Sequence, residues 1–297
     1  MSASSTQLRA GFIGLGAMGM PMAEHLARHG YLQAVWNRTF STAEAVAGRC
    51  SCRAASEPSV LAQDCDVIFL CVSADADVEH VVQQLLPNLR AGHIVVDHST
   101  VAPATAHKMA ALTADRGAHF LDAPISGGVE GARNGKLSVM VGGDGELLQR
   151  LRPLLDCYSA RIMHMGAVGN GQATKAVNQV LVGGIAQAVC EGLALGDRLQ
   201  LPREELLQVL QAGAAGCWFL EKRGETMLKD DFVQGFKLSL LLKDLKILEQ
   251  MADAMNGRLP LVEASINDYT QLVERGDGDN DISGLIRLKK EHLAKTS

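Results

Sequence analysis

The feature that most limits what this chain can become is a run of three glycines, Gly14-Leu15-Gly16-Ala17-Met18-Gly19, directly after the apolar stretch that opens at Ala10. Glycine is common here, with 30 copies, so the spacing alone says little. Its position says more. The apolar stretch reads as a buried strand and Met18 to His29 as a helix, which puts the glycines on the first strand-to-helix turn. On such a turn the first glycine permits a tight bend, the second lets phosphates approach the backbone, and the third lets helix and strand pack closely. The helix start adds N–H groups and a positive dipole end. The segment is therefore read as the seat of a dinucleotide's pyrophosphate, with Gly14, Leu15, Gly16, Ala17, Met18 and Gly19 lining it.

The next 150 residues keep alternating between short apolar runs and amphipathic stretches. Strands are expected at 33–36, 67–72, 93–97, 119–121, 137–141 and 161–164. Helices are expected at 41–48, 76–89, 103–116 and 145–155. Val67 to Val72 is almost wholly apolar, as a strand covered on both faces must be. This alternation predicts an α/β domain with a parallel, doubly wound sheet of the Rossmann type. After the glycine cluster at 166–171 only helical periodicity remains: one long interdomain helix from Gln172 to Leu199, then helices at 204–211, 238–255, 261–274 and 284–295. The expected division is a dinucleotide-binding domain over 1–167 and an all-helical domain over 168–297. A chain of 297 residues, 47% of them apolar, can fill two cores.

Composition excludes some partners. A net charge of −5 points to neither nucleic acid nor an anionic membrane. The opening MSASSTQLRA lacks a leader's apolar core, and no run reaches the roughly 18 uninterrupted apolar residues of a membrane span. The most apolar stretch, 176–195, is broken by Asn178, Gln179, Gln187 and Glu191. Seven scattered cysteines in a chain this long are read as reduced thiols of a cytoplasmic enzyme. No metal-ligand spacing is present, so no metal is expected. Gly131 to Lys136 imitates a phosphate loop, but Leu137 stands where such a loop needs Ser or Thr.

The residues after the second strand select the cofactor. NAD sites carry Asp or Glu there, for the ribose 2′-hydroxyl. This chain has Asn37-Arg38-Thr39. A cation with two flanking polar side chains suits a 2′-phosphate. Charge-assisted hydrogen bonds of roughly 1.5–3 kcal/mol correspond to about a ten- to hundred-fold preference. NADP(H) is the expected cofactor, with NAD(H) second.

Three further segments accompany the glycine turn: Asp122-Ala123-Pro124-Ile125-Ser126-Gly127-Gly128, Gly169 through Lys175 to Gln179, and Gly235 through Lys243 to Leu245. In that order and spacing, over nearly the whole chain, they resemble the β-hydroxyacid dehydrogenase family. That family includes 3-hydroxyisobutyrate dehydrogenase, tartronate semialdehyde reductase and glyoxylate/succinic semialdehyde reductases. The resemblance implies reversible hydride transfer between a nicotinamide and a small hydroxy acid, its semialdehyde or its keto acid. It implies Lys175 as the catalytic lysine, Ser126-Gly127-Gly128 as the cradle of the substrate carboxylate, and Lys243 near substrate and nicotinamide. Val72-Ser73 and Ser99-Thr100 would flank the cofactor. It also implies a homodimer or homotetramer, which fits a long helix more apolar than solvent requires.

Asn178 and Gln179 stand three and four residues after Lys175. Both positions share its helix face, so either amide can hold the substrate oxygen. The Asn-Gln pair resembles the tartronate semialdehyde reductases, whereas Asn37-Arg38-Thr39 resembles the NADPH-using reductases, so the substrate stays open. Lys175 is expected to pass a proton to and from the substrate oxygen. Desolvation and Lys243 would draw its pKa toward neutrality. Two other readings compete: an imine reductase-like enzyme, and a non-catalytic dinucleotide-binding protein. Retention of Lys175 together with Ser126-Gly127-Gly128 favours the dehydrogenase.

Overall fold

A computed structural model describes residues 7–233 and 235–294. Most of the opening segment read for a leader, and Lys295 at the end of the expected last helix, lie outside these residues. The chain forms two compact units, one up to Lys175 and one from Ala176 onward.

In the first unit nine strands form one sheet. They are β1 (Ala10–Ile13), β2 (Leu32–Trp36), β3 (Arg53–Ala54), β4 (Val67–Leu70), β5 (Ile94–Asp97), β6 (His119–Asp122), β7 (Ile125–Ser126), β8 (Leu137–Gly142) and β9 (Ser159–Gly166). The helices between them are α1 (Gly19–Arg28), α2 (Phe40–Cys50), α3 (Pro58–Asp64), α4 (Asp75–Leu85), α5 (Pro103–Ala114), α6 (Gly128–Arg133) and α7 (Gly145–Leu155). The strand order is β3-β2-β1-β4-β5-β6-β8-β7, with β9 beside β8. From β3 to β6 every pairing is parallel. Alternate residues of β4 explain the double winding. Val67 and Phe69 join a core with Met22 and Leu26 of α1, while Ile68 and Leu70 join another with Leu61 of α3 and Leu85 of α4. Each such buried side chain contributes roughly 1.5–3 kcal/mol.

The expected all-parallel sheet needs one correction. β8 runs antiparallel to β6 and β7, pairing Asp122 with Gly142 and Ile125 with Val139. After β7 the chain returns through the six-residue α6, too short a connection for a crossover that would restore the parallel direction. The sequence reading also misses β3, α3, β7 and α6. Where a local signal exists, the boundaries agree. Pro103 opens α5, and the carboxylate of Asp144 caps α7 by accepting the N–H groups of Glu146 at 2.7 Å and Leu147 at 3.2 Å. The expected helix over 76–89 stops at Leu85, ahead of Pro87.

Helix α8 (Asn170–Arg198) begins in the first unit and continues into the second. The second unit adds α9 (Arg203–Ala212), α10 (Trp218–Leu228), α11 (Leu238–Ala254), α12 (Pro260–Glu274) and α13 (Leu285–Leu293), with two short 3-10 turns before α13. α10 is absent from the sequence reading; Gly224 lies inside it and Gly216 just before it. Its core joins Leu193 of α8, Leu220 and Met227 of α10, Leu241 and Leu245 of α11, and Tyr269 of α12. By length and composition alone α8 passes as a membrane span, with less than half of its apolar window buried. The polar positions at 178, 179, 187 and 191 interrupt it.

Candidate active site

Parallel pairing brings the C-terminal ends of β1, β2, β4, β5 and β6 to one edge of the sheet, where open α/β sheets bind ligands. The glycine turn sits there. Gly14 has φ +92° and its N–H donates to Trp36 O at 3.0 Å. A Cβ on Gly14 would stand 2.2 Å from Cys71 O, and one on Gly19 would stand 1.8 Å from Gly14 O. Both positions are shut by backbone. A Cβ on Gly16 would meet nothing within 4 Å. That opening lies on the exposed side of the turn, while Leu15 is buried in the core. An approachable backbone at the middle glycine, flanked by two that close the turn, fits a pyrophosphate.

Asn37 and Arg38 diverge. The Asn37 Oδ1 accepts the Leu15 N–H at 3.0 Å, and its Nδ2 donates to Thr39 O at 3.2 Å. The amide thus ties the end of β2 to the glycine turn. The Arg38 side chain is 87% exposed and pairs at 3.5 Å with Asp77, a carboxylate of α4 absent from the sequence reading.

Val72 and Ser99 are joined: the Val72 N–H donates to Ser99 Oγ at 2.9 Å, and the Ser99 N–H donates to Asp97 Oδ1 at 2.9 Å. Ser73 is exposed and Thr100 half-buried beside them. The neighbouring Cys71 is no nucleophile, since burial pushes its thiol up to about 12. Ser126 ends β7, and Gly127 and Gly128 follow with φ of +129° and +63°, which side chains rarely adopt. Lys175 lies in the second turn of α8 and is only 7% exposed.

In the second unit Asn178, Gln179, Lys243 and Asp244 form a cluster. The Gln179 Nε2 donates to Asp244 Oδ2 at 2.6 Å, and its Oε1 accepts from Asn178 Nδ2 at 2.8 Å. Lys243 Nζ lies 2.9 Å from Asp244 Oδ1. The Gln179 amide is thus engaged at both ends inside the protein, and a carboxylate offsets the charge of Lys243. Asp244, to which the sequence reading assigns no role, is buried at the centre of this cluster.

A doubly wound sheet with an open glycine turn at its carboxyl edge defines a dinucleotide-binding protein. Comparison with known proteins makes the class narrower. Residues 9–166 match the family described as the NAD binding domain of 6-phosphogluconate dehydrogenase, and residues 169–289 that described as the NAD-binding domain of NADP-dependent 3-hydroxyisobutyrate dehydrogenase. An uncharacterized oxidoreductase of Shewanella frigidimarina is 37% identical, across 94% of this chain and 97% of that protein. The 2-hydroxy-3-oxopropionate reductase of Escherichia coli is 34% identical, across 94% and 96%. The structure of Mycobacterium tuberculosis 3-hydroxyisobutyrate dehydrogenase with L-serine superposes with a TM-score of 0.86 at 28% identity, covering 95% of this chain and 99% of that one. The chain belongs to the β-hydroxyacid dehydrogenase family.

Proposed function

We propose that this protein is a cytoplasmic, NADP(H)-preferring enzyme that interconverts a small hydroxy carboxylic acid and its semialdehyde or keto acid, with Lys175 as general acid and base. The observation that carries the reading is Lys175 itself: a buried lysine in the second turn of the helix that begins beside the carboxyl edge of the sheet. The bound nicotinamide supplies or accepts the hydride. In reduction Lys175 Nζ gives a proton to the substrate oxygen as the carbonyl carbon gains hydride. In oxidation it takes that proton back.

Ser126 and the N–H groups of Gly127 and Gly128 would hold the substrate carboxylate, which fixes the carbon presented for transfer. Of the two amides, Asn178 is the better candidate for the substrate oxygen, because Gln179 is committed to Asp244 and to Asn178. Lys243, paired with Asp244, would lie near substrate and nicotinamide as a positioning cation. Gly14 to Gly19, Val72-Ser73 and Ser99-Thr100 would hold the cofactor. Arg38, with Asn37 and Thr39, would meet the 2′-phosphate. The relatives named for a 2-hydroxy-3-oxo acid and a 3-hydroxy acid support a small hydroxy acid or its semialdehyde as substrate.

The outward face of α8 supports self-association. Val177, Leu181 and Ile185 recur at four-residue spacing and are exposed, as are Leu195 and Leu199. This face would pack on a second copy in a dimer or tetramer, and Leu181→Asp would shift the sedimentation profile toward monomer.

The decisive assay follows nicotinamide absorbance against glyoxylate and succinic, tartronate and methylmalonate semialdehydes, with NADPH and then NADH, for wild type and Lys175→Ala. Turnover of at least one compound by wild type and none by Lys175→Ala, with NADPH still bound, supports the reading. Turnover surviving in Lys175→Ala removes the lysine from the chemistry.

A further inference from the structure

The start of α8 is fixed by a carboxylate from β6 and by a glutamine of its own first turn. Asp122 is fully buried at the end of β6. Its Oδ1 accepts the Gly169 N–H at 2.7 Å and its Oδ2 the Gln172 N–H at 2.8 Å. These N–H groups belong to the helix start, where no intrahelical acceptor exists and a negative charge is favoured. Two glycines leave space for the carboxylate. A Cβ on Gly142 would stand 2.4 Å from its Oδ1, and one on Gly171 would stand 2.8 Å from its Oδ2.

Gln172, also buried, makes the second connection. Its Nε2 donates to Ser99 O at 2.8 Å, and its Oε1 accepts the Val101 N–H at 3.2 Å. Ser99 in turn accepts from the Val72 N–H. A continuous hydrogen-bonded path therefore joins the ends of β4, β5 and β6 to the helix one turn ahead of Lys175.

We propose that Asp122 and Gln172 are positioning residues that fix the first turn of α8, and with it Lys175, against the strand-end loops at Val72 and Ser99 to Val101. The inference rests on Lys175 being the proton-transfer residue. Neither side chain needs to touch substrate. Misplacing a reacting group by about 1 Å costs on the order of a hundred-fold in rate.

The test uses Asp122→Asn, Gln172→Met and Gln172→Glu in the full chain, with hydride transfer followed at saturating NADPH and substrate. The expected result is a loss in kcat of about ten- to a hundred-fold, with NADPH Kd changed less than about three-fold. Gln172→Glu adds a second readout. Protonated, the new side chain again offers one donor for Ser99 O and one acceptor for Val101 N–H. Ionised, it sets a carboxylate against a carbonyl. Its activity relative to wild type should therefore rise as pH falls from 8 to 5.5.

A pH-independent Gln172→Glu ratio would overturn the inference. If Asp122→Asn does not fold, the two Gln172 variants carry the test. Wild-type kcat in Asp122→Asn and Gln172→Met with an inactive Lys175→Ala sinks the positioning role alone. An active Lys175→Ala sinks the lysine reading itself.

Discussion

The Asn37 side chain accepts the backbone N–H of Leu15 at 3.0 Å, so the residue that follows β2 also braces the glycine turn that follows β1. Asn37→Ala removes that brace from a turn that would serve both dinucleotides. A single such hydrogen bond is worth about 0.5–1.5 kcal/mol, so KM for NADH and NADPH should rise together, by about two- to ten-fold. Asn37→Asp keeps an acceptor for Leu15 and adds a carboxylate, so it should move kcat/KM toward NADH. Steady-state kinetics with both cofactors decides. A change confined to NADPH in Asn37→Ala would mean that the amide serves the 2′-phosphate and not the turn.

Arg38 and Asp77 form an exposed ion pair, whose contribution to stability is about 0–1 kcal/mol. Asp77→Asn should therefore leave Tm unchanged. It should improve NADPH binding by about two- to five-fold, because a carboxylate near the 2′-phosphate would be gone. Arg38→Asp should reverse the cofactor preference. Titrating both cofactors into each variant measures this, and an unaltered NADPH/NADH ratio in Arg38→Asp would show that the guanidinium plays no part in selection.

The turn glycines should separate binding from folding. A Cβ at position 16 meets no protein atom within 4 Å, whereas one at position 19 would overlap Gly14 O at 1.8 Å. Gly16→Ala should keep the wild-type Tm and weaken dinucleotide binding by about ten-fold or more, as a methyl group would occupy the space a phosphate needs. Gly19→Ala forces the backbone to shift and should cost about 1–3 kcal/mol of stability. Paired thermal melts and cofactor titrations check this. Equal Tm losses in both variants would contradict it.

His98 gives the fold a pH dependence. Its Nδ1 lies 2.6 Å from Ala123 O and its Nε2 2.8 Å from Tyr158 OH, with Phe69 stacked on the ring. A neutral imidazole satisfies both contacts only as the Nδ1–H tautomer, with the Tyr158 hydroxyl donating to Nε2. Burial lowers its pKa to about 4 from the usual 6.5. Below 6.5 the unfolded chain takes up a proton that the folded chain refuses, so stability falls as pH drops from about 6.5 to about 4. The full loss is about 3 kcal/mol. Urea midpoints across that range, compared with those of His98→Gln, should show a steeper fall in wild type. Parallel profiles would remove His98 as the cause.

How much of this was legible in the sequence follows from where each signal lies. The strand-to-helix turn at 14–19, the apolar run at 67–72 and the helix opened by Pro103 all carry local patterns, and each forms, the strand closing at Leu70 and the helix at Ala114. β7 spans only Ile125–Ser126, too short for any periodicity, so the antiparallel return to β8 had no local signature. Asp122 and Gln172 are 50 residues apart, and Gln179 and Asp244 are 65 apart. Which polar side chains meet over such spans depends on packing, so the pairing of Gln179 with Asp244 had no local signature. The family segments did mark these stretches, but not which of their residues hold the helix in place.

The shielded thiol of Cys71, at the carboxyl edge of the sheet, has company. Burial also pushes Cys65 up to about 12, Cys52 and Cys157 up to about 11, and Cys190 higher still. At neutral pH a thiol with a pKa of 12 is ionised in about one molecule per hundred thousand. Electrophilic labels and peroxide will thus find almost no reactive sulfur at these five positions. A fluorophore on a cysteine engineered onto an exposed helix then calls for replacing only Cys50 and Cys217, the two remaining native thiols.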